Sequence, residues 1–572
     1  MKKLTIAIFL VLAVMTAKSD IDLNGLWDFR LDEKQSLDKA FNADFKATDK
    51  MTVPGCFDMM PKFLMKRGTA HYRRTFDLEK DVKNAWLEVK GMGLTSRFSI
   101  DGKIVGGCAY PWSTFRIALG PLKKGTHTLY AALDNRFDFK IQKLIRPYYD
   151  FYAFGGFYHG VSLKFDNRSL RIRTRDIATG TVEVEFVNFE KSDFTTALKF
   201  DGKNSVVADV KSSRATVKVP SFKLWSPDSP NLHTVESEDG VKARFGIRTV
   251  EAKNKRIYLN GKPLFLKGAN RHESHITFGA ATSEDLMLLD VQNLKALGGN
   301  FFRGAHYPQT ERFLELCDEY GILVWEESLG WGNGQTWTDH RGEEFKDPRF
   351  LSDNIAQTKL MVENSFNHPS VIIYAFLNEL NSTIPEGKKI VDELIGAIKE
   401  YDSGRLVTYA CNRVNEDIAN VNTDIISFNT YPGWIGSDAG DNDNLKKLLK
   451  DSVSSIVKRF RSKYPEKPIM VSEMGTCGVY GWHDAAGAQW TEEFEAEYVS
   501  EAIKAAWSEK DIVGFAIWQF TDARSYHREG GAIRSKPFAL NLAGIYDAYR
   551  RPKLPVLEAV KKSFAETPAC DK

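Results

Sequence analysis

Little in the sequence would fix its structure covalently. Its six cysteines, Cys56, Cys108, Cys317, Cys411, Cys477 and Cys570, are scattered without a CxxC pair or regular spacing. That pattern excludes a disulfide framework and a cysteine-type zinc site. Neither sign of charge is in excess: 78 Lys and Arg stand against 75 Asp and Glu, a formal net charge of +3 over 572 residues. With no strong field to attract phosphate backbones, nucleic acid is excluded as a partner. The apolar run 4–15 is too short to span a bilayer. It follows Lys2 and Lys3 and precedes Ala17-Lys18-Ser19, so residues 1–19 read as an export signal and the mature chain is expected to be periplasmic or secreted, without a membrane partner. With 43% hydrophobic and 27% charged residues, the chain is neither disordered nor collagen-like. Its length implies about three or four domains.

Aromatic residues, by contrast, are plentiful: 12% of the chain, including 12 Trp and 20 Tyr. Most belong in cores, but flat rings also serve as platforms in sugar-binding clefts. Short alternating segments broken by Gly and Asp turns run through residues 20–166, among them Ala85-Trp86-Leu87-Glu88-Val89 and Phe98-Ser99-Ile100-Asp101-Gly102. They predict an antiparallel sandwich. Residues 167–250 alternate strictly at Val182-Glu183-Val184-Glu185-Phe186 and have the size of an immunoglobulin-like sandwich. The stretch Leu224-Trp225-Ser226-Pro227 marks a rigid turn there.

From residue 251 to 572 the pattern changes to apolar strands at 264–267, 300–303, 322–325, 371–376, 406–409, 425–428, 469–472 and 514–518. Helical stretches such as 283–297, 311–320 and 387–401 separate them. Eight such units in about 320 residues predict a (β/α)₈ TIM barrel. A doubly wound sheet is the competing topology, but no Gly-rich phosphate loop follows the first strand.

A barrel places its chemistry just after each strand. The fourth strand ends in Leu377-Asn378-Glu379 and the seventh in Ser472-Glu473-Met474, which supplies the two carboxylates that glycoside hydrolysis requires. Other strand ends bring Asn270-Arg271-His272-Glu273, Arg303-Gly304-Ala305-His306, Asn429-Thr430-Tyr431 and Trp518-Gln519. These donors and rings suit a shell around sugar hydroxyls. No i, i+4 or HxH spacing makes His272, His306 and Glu273 a metal site, so no metal or cofactor is expected.

These residues resemble the family 2 glycoside hydrolases, the β-galactosidase, β-glucuronidase and β-mannosidase group. The resemblance runs from Leu23-Asn24-Gly25-Leu26-Trp27 through Phe245-Gly246-Ile247-Arg248 and Asn270-Arg271-His272-Glu273 to Asn378-Glu379 and Ser472-Glu473. It implies a sugar-binding β jelly roll, an immunoglobulin-like sandwich and a catalytic TIM barrel. It further implies a retaining exo-hydrolase with Glu379 as acid/base and Glu473 as nucleophile. Asn378 would hold the sugar 2-hydroxyl, Tyr431 would orient Glu473, Trp518 would floor the pocket, and Arg271, His272, Arg303, His306, Asp150 and Asn541 would line it.

Glucuronidases of this group carry an Asn-x-Lys-Gly clamp for the sugar carboxylate, where this chain reads Asn541-Leu542-Ala543-Gly544. Ala543 supplies no ammonium, so a neutral β-galactoside is the expected substrate. The alternative is a glucuronidase or other uronidase with a substitute clamp from Arg524, His527, Arg528, Arg534 and Lys536. A non-catalytic carbohydrate-binding protein is the alternative of another class. A homo-oligomer stays open, and the magnesium site of large β-galactosidases has no counterpart, because Glu326-Glu327-Ser328-Leu329-Gly330-Trp331 contains no His.

Overall fold

The computed structural model describes residues 20–39, 45–137, 144, 151–336, 342–434, 442–525, 536 and 539–568. The expected export segment, Asp150, His527, Arg528 and Arg534 lie outside the described residues.

The N-terminal part is a sandwich of two antiparallel sheets. One holds Ile21–Asp22, Val161–Lys164, Val82–Lys90 and Thr114–Leu122; the other holds Asp49–Val53, Gly25–Asp32, Thr69–Leu78, Gly125–Asp134, Thr95–Ile100 and Lys103–Cys108. Side chains of a strand alternate between its faces. Ala85, Leu87 and Val89 therefore enter a core with Phe115, Ile117, Trp27 and Tyr72, and Trp86, Glu88 and Lys90 take the outer face. Asp101 and Gly102, both at positive φ (49° and 81°), turn the chain between Thr95–Ile100 and Lys103–Cys108, as the Asp-Gly signal predicts.

A second sandwich pairs the sheet of Ser169–Asp176, Thr181–Val187 and Arg214–Lys218 with that of Asn204–Val210, Phe194–Phe200, His233–Ser237 and Lys242–Phe245. Its expected rigid turn is a two-residue ladder of Trp225–Ser226 with Ser229–Pro230. The buried Trp225 donates from Nε1 to the Asp318 carbonyl at 2.9 Å, and Arg248 donates to the carbonyls of Pro369 and Val371 at 3.0 and 2.7 Å. These three bonds fasten this sandwich to the barrel.

All pairings in the barrel ladder are parallel. Its strands are Leu266–Arg271, Phe301–Gly304, Leu323–Trp331, Val371–Asn378, the split pair Leu406–Val407 and Ala410–Cys411, Ile426–Asn429, Ile469–Met474 and Ile512–Ile517. The fifth strand differs from the continuous run expected at 406–409: its first half pairs with Val371–Asn378, its second with Ile426–Asn429, and the barrel closes between them. The first strand also starts later than expected. Residues 262–264 belong instead to an antiparallel sheet of Val250–Lys253, Arg256–Leu259 and Lys262–Leu264, turned at Asn260 and Gly261, both at positive φ. Ile257 and Leu259 of that sheet pack with Phe301, Leu323, Ile373 and Met470, near the starts of the barrel strands. The sheet plugs this end, so the opposite rim carries the site.

Candidate active site

Glu473, near the end of the seventh strand, is buried. Arg303 donates from Nη1 to its Oε1 at 2.5 Å, and the Tyr431 hydroxyl donates to its Oε2 at 2.5 Å. A cation and a phenol thus hold the two oxygens in place. The buried Arg303 also forks onto Glu327, from Nε to Oε2 and from Nη2 to Oε1, each at 3.0 Å, and donates to Asn270 Oδ1 at 3.0 Å and Asn378 Oδ1 at 2.9 Å. Period-two alternation explains the convergence. Asn270, Arg303 and Glu327 occupy inward positions of three adjacent strands.

Glu379 follows the fourth strand at φ 55°, one of two positive-φ residues, with Leu377, that flank Asn378. Such backbone strain in a non-glycine residue persists where the surroundings enforce it. The Glu379 carboxyl accepts from Asn412 Nδ2 at 3.0 Å and Asn429 Nδ2 at 2.9 Å, and its carbonyl accepts from Gln335 Nε2 at 2.8 Å. Burial, and next the charge of Glu473, push this carboxyl up to about 7. The pair therefore divides into an acid that keeps its proton near neutrality and an ion-paired carboxylate.

A donor and ring shell surrounds the pair. Asn378 Oδ1 is occupied by Arg303 and by Asn429 Nδ2, at 3.1 Å, while its buried Nδ2 has no partner among the described residues. His306 stacks on Trp518, with centroids 5.3 Å apart and planes 11° apart. Its Nδ1 bonds Glu327 Oε1 at 3.1 Å and its Nε2 lies 3.9 Å from Glu473. Burial lowers the His306 imidazole to about 3, leaving it neutral. His272 meets His306 and Trp518 edge-on, at 5.6 and 5.4 Å, and burial holds it well below the usual histidine range. Phe151, from the N-terminal sandwich, packs on both imidazoles.

The structure therefore brings together Glu379, Glu473, Asn378, Arg303, His306, His272, Tyr431 and Trp518. It does not bring in Arg271. That guanidinium faces outward, pairing with Asp290 at 3.0 Å, donating to Gln309 Oε1 at 2.7 Å and lying over the Phe313 ring. Its inward neighbour Asn270 takes the pocket side, so Arg271 is corrected to a buried bolt between strand and helix. Asn541 lies on a two-stranded ladder, Ala523–Arg524 with Leu540–Asn541. Asn541 Nδ2 and Arg524 Nε are both buried without a partner among the described residues. Ala543 packs in a cluster with Trp518 and Leu542.

Sequence reasoning missed Glu327 and Asn412 as parts of the site, whereas Asn429 belongs to the strand end it singled out. The signal for the first was present, since Trp325 and Glu327 share a strand face and Glu326 does not. Among the described residues no group of three or more His, Cys, Asp or Glu is placed to hold a metal ion, and no helix is long and apolar enough to cross a membrane.

Residues 250–567 match the family model described as "Glycosyl hydrolases family 2, TIM barrel domain", and residues 162–248 match "Glycosyl hydrolases family 2". A β-glucuronidase of Streptococcus agalactiae is 24% identical over 95% of this chain and 96% of its own. The β-glucuronidase of Sus scrofa is 29% identical over 62% of this chain and 54% of its own. A GH2 β-galacturonidase from Eisenbergiella tayi, solved bound to glycerol, is 28% identical with a TM-score of 0.82, covering 97% of this chain and 98% of that one.

Proposed function

This chain belongs to glycosyl hydrolase family 2 and is a glycoside hydrolase, and from that premise we propose that it is a retaining exo-β-uronidase that removes a terminal hexuronic acid from a carbohydrate. Glu473, aligned by Arg303 and Tyr431, attacks the anomeric carbon while Glu379 gives its proton to the leaving oxygen. The resulting glycosyl-enzyme is hydrolysed by a water that Glu379 deprotonates. Asn378 Nδ2 donates to a ring hydroxyl, and Trp518 with His306 forms the apolar wall.

The preference for a uronide replaces the expectation of a neutral galactoside. The relatives are β-glucuronidases and a β-galacturonidase. The observation that carries it within this chain is the buried Asn541 Nδ2, which has no partner among the described residues and whose residue leads into Leu542 and Ala543, packed with Trp518. A buried amide N–H gains from a carboxylate a charge-assisted hydrogen bond that a neutral hydroxymethyl group does not supply. Arg524, of the expected substitute clamp, lies 5.9 Å over the ring of Tyr152, the residue after Phe151 of the imidazole stack. Export belongs to the same proposal, and rests on residues 1–19 of the sequence.

The test is kcat/KM on aryl β-glucuronide, β-galacturonide and β-galactoside, for the natural protein, Arg524→Ala and Asn541→Ala. A uronide is expected to lead the galactoside by about 100-fold or more, and each substitution is expected to cut the uronide rate selectively. A galactoside preference, untouched by both substitutions, would return the assignment to β-galactosidase.

A further inference from the structure

A second cleft, of about 530 Å³, lies where the two sandwiches meet the barrel. Its floor is the outer face of the strands Val82–Lys90 and Thr114–Leu122, where alternation places Trp86, Glu88 and Arg116. Walls come from Asn167 of the second sandwich and from Pro308, Glu311 and Asn364 of the barrel. That volume is in the range of small-molecule sites. It is a different space from the catalytic pocket: Trp112, at its inner end, stacks on Tyr307 (4.2 Å, 13°), and Tyr307 bonds His272 and the Glu273 N–H on the far side. One strand serves both spaces, with Glu327 turned into the barrel and Glu326 into this cleft.

Two features of the lining define what fits it. First, Trp112 Nε1, Ser113 Oγ and Glu326 Oε2 are buried without a partner among the described residues, and all three residues line the cleft. Buried polar groups are satisfied in the functioning molecule, by ligand or by water. Second, the other carboxylates of the lining are already neutralised. Glu88 pairs with Arg116 at 2.6 Å, Glu311 with Lys90 at 2.8 Å and Glu363 with Arg171 at 2.5 Å. Burial pushes the Glu326 carboxyl well above the usual range, toward its neutral, donating form. Glu88, Glu311 and Glu363 thus each have a cation among the described residues, while a half-buried indole, Trp86, offers a flat face beside hydroxyl and amide groups.

We propose that this cleft is a second carbohydrate site that binds a neutral pyranose unit, with its hydroxyls on Trp112, Ser113 and Glu326 and one ring face on Trp86. A carbohydrate chain can thereby be held at a place other than the bond being cut. The inference does not depend on which terminal sugar the barrel removes.

Binding tests it directly. Calorimetric titration with methyl β-D-galactopyranoside, methyl β-D-glucopyranoside and methyl β-D-xylopyranoside, and with glucuronic acid as the anionic control, is done on full-length Trp518→Ala protein, whose barrel pocket has lost its wall. At least one neutral glycoside is expected to bind at one site per chain, and glucuronic acid is not. Adding Trp86→Ala or, separately, Ser113→Ala should weaken that binding about tenfold with the melting temperature unchanged. A crystal soaked with the bound glycoside should place sugar oxygens on Trp112 Nε1 or Ser113 Oγ. Three outcomes overturn the proposal: no neutral glycoside binds at about 50 mM, where even a weak site of this kind would show; binding survives both substitutions; or the cleft holds only water in the soaked crystal.

Discussion

Arg303 Nη1 lies 2.5 Å from Glu473 Oε1, and the same guanidinium reaches Asn378, the residue before Glu379, through Nη2 at 2.9 Å. A cation rooted in the second strand thus ties the end of the seventh strand to the end of the fourth. The relative placement of the two carboxyls rests on this side chain and on its anchor, Glu327, as much as on the loops that follow the strands.

Arg303→Lys keeps the charge and loses the planar fork that serves Glu327, Asn378 and Glu473 together. It should fold, and its kcat should fall on the order of 10²–10³-fold, measured with an aryl glycoside alongside the melting temperature. Arg303→Ala, by contrast, leaves Glu327 buried and unpaired and should lose about 3–5 kcal/mol of stability. If the Lys variant turned over like the natural enzyme, the fork would be structural ornament to catalysis.

The two glutamates should fail differently. Glu473→Gln should form no covalent glycosyl-enzyme, detectable by intact-protein mass spectrometry with a slow 2-fluoro substrate. Glu379→Gln should keep more activity on leaving groups that need no proton than on an alkyl glycoside. The first product anomer seen by NMR should retain the configuration of the substrate, and inversion would refute the double displacement.

A proton on Glu379 is required for the first step, and its carboxyl is raised to about 7. The rate kcat/KM should therefore fall as pH climbs through about 7. Stability carries the same sign. The folded state holds this proton where an ordinary carboxyl has lost it, so between the usual carboxylate range and about pH 7 the native state binds more protons than the unfolded one and stability declines with rising pH. Glu379→Gln removes that decline, so its melting temperature relative to the natural protein should rise from pH 5 to pH 8. A constant difference across that interval would show that the carboxyl titrates normally.

Trp518→Ala and His306→Ala should each cost about 2–4 kcal/mol in kcat/KM, because they remove the wall and the polar edge next to Glu473. Arg271→Ala should behave in the opposite way. Asp290 retains Arg550, at 3.1 Å, so the loss of the buried pair costs on the order of 3 kcal/mol of stability, while activity per folded molecule survives. Calorimetry and active-site titration together separate the two patterns.

The two glutamates were legible in the sequence because each follows an apolar run of strand length, and a barrel leaves such a position nowhere to go but its rim. Arg271 was misread for a related reason: adjacent residues of one strand end were treated as equivalent, although Asn270 turning inward sends Arg271 outward. Glu327 enters the sequence reading only as part of a run that lacks the His of a magnesium site. Its role depends on Arg303, a residue of another strand, and pairings across strands are not written in either strand alone. Asn412 follows a break in the fifth strand that hydropathy does not mark. The placement of Arg524 depends on how its loop folds onto Tyr152, which composition cannot supply.

The seam inside the fifth strand has a consequence for how the chain is made. Leu266–Arg271, the first barrel strand to leave the ribosome, pairs on one side with Phe301–Gly304 and on the other with Ile512–Ile517, the last. Its outer edge therefore stays open through the synthesis of nearly the whole barrel, and a second edge advances with each new strand until residues 406–411 turn the corner. The sandwiches, complete before any of this, can fold as they emerge, whereas the barrel exposes growing apolar edges that invite pairing with other chains. Slowing translation across residues 300–510 should raise the insoluble fraction, and truncation before Ile512 should leave soluble sandwiches joined to an aggregating remainder.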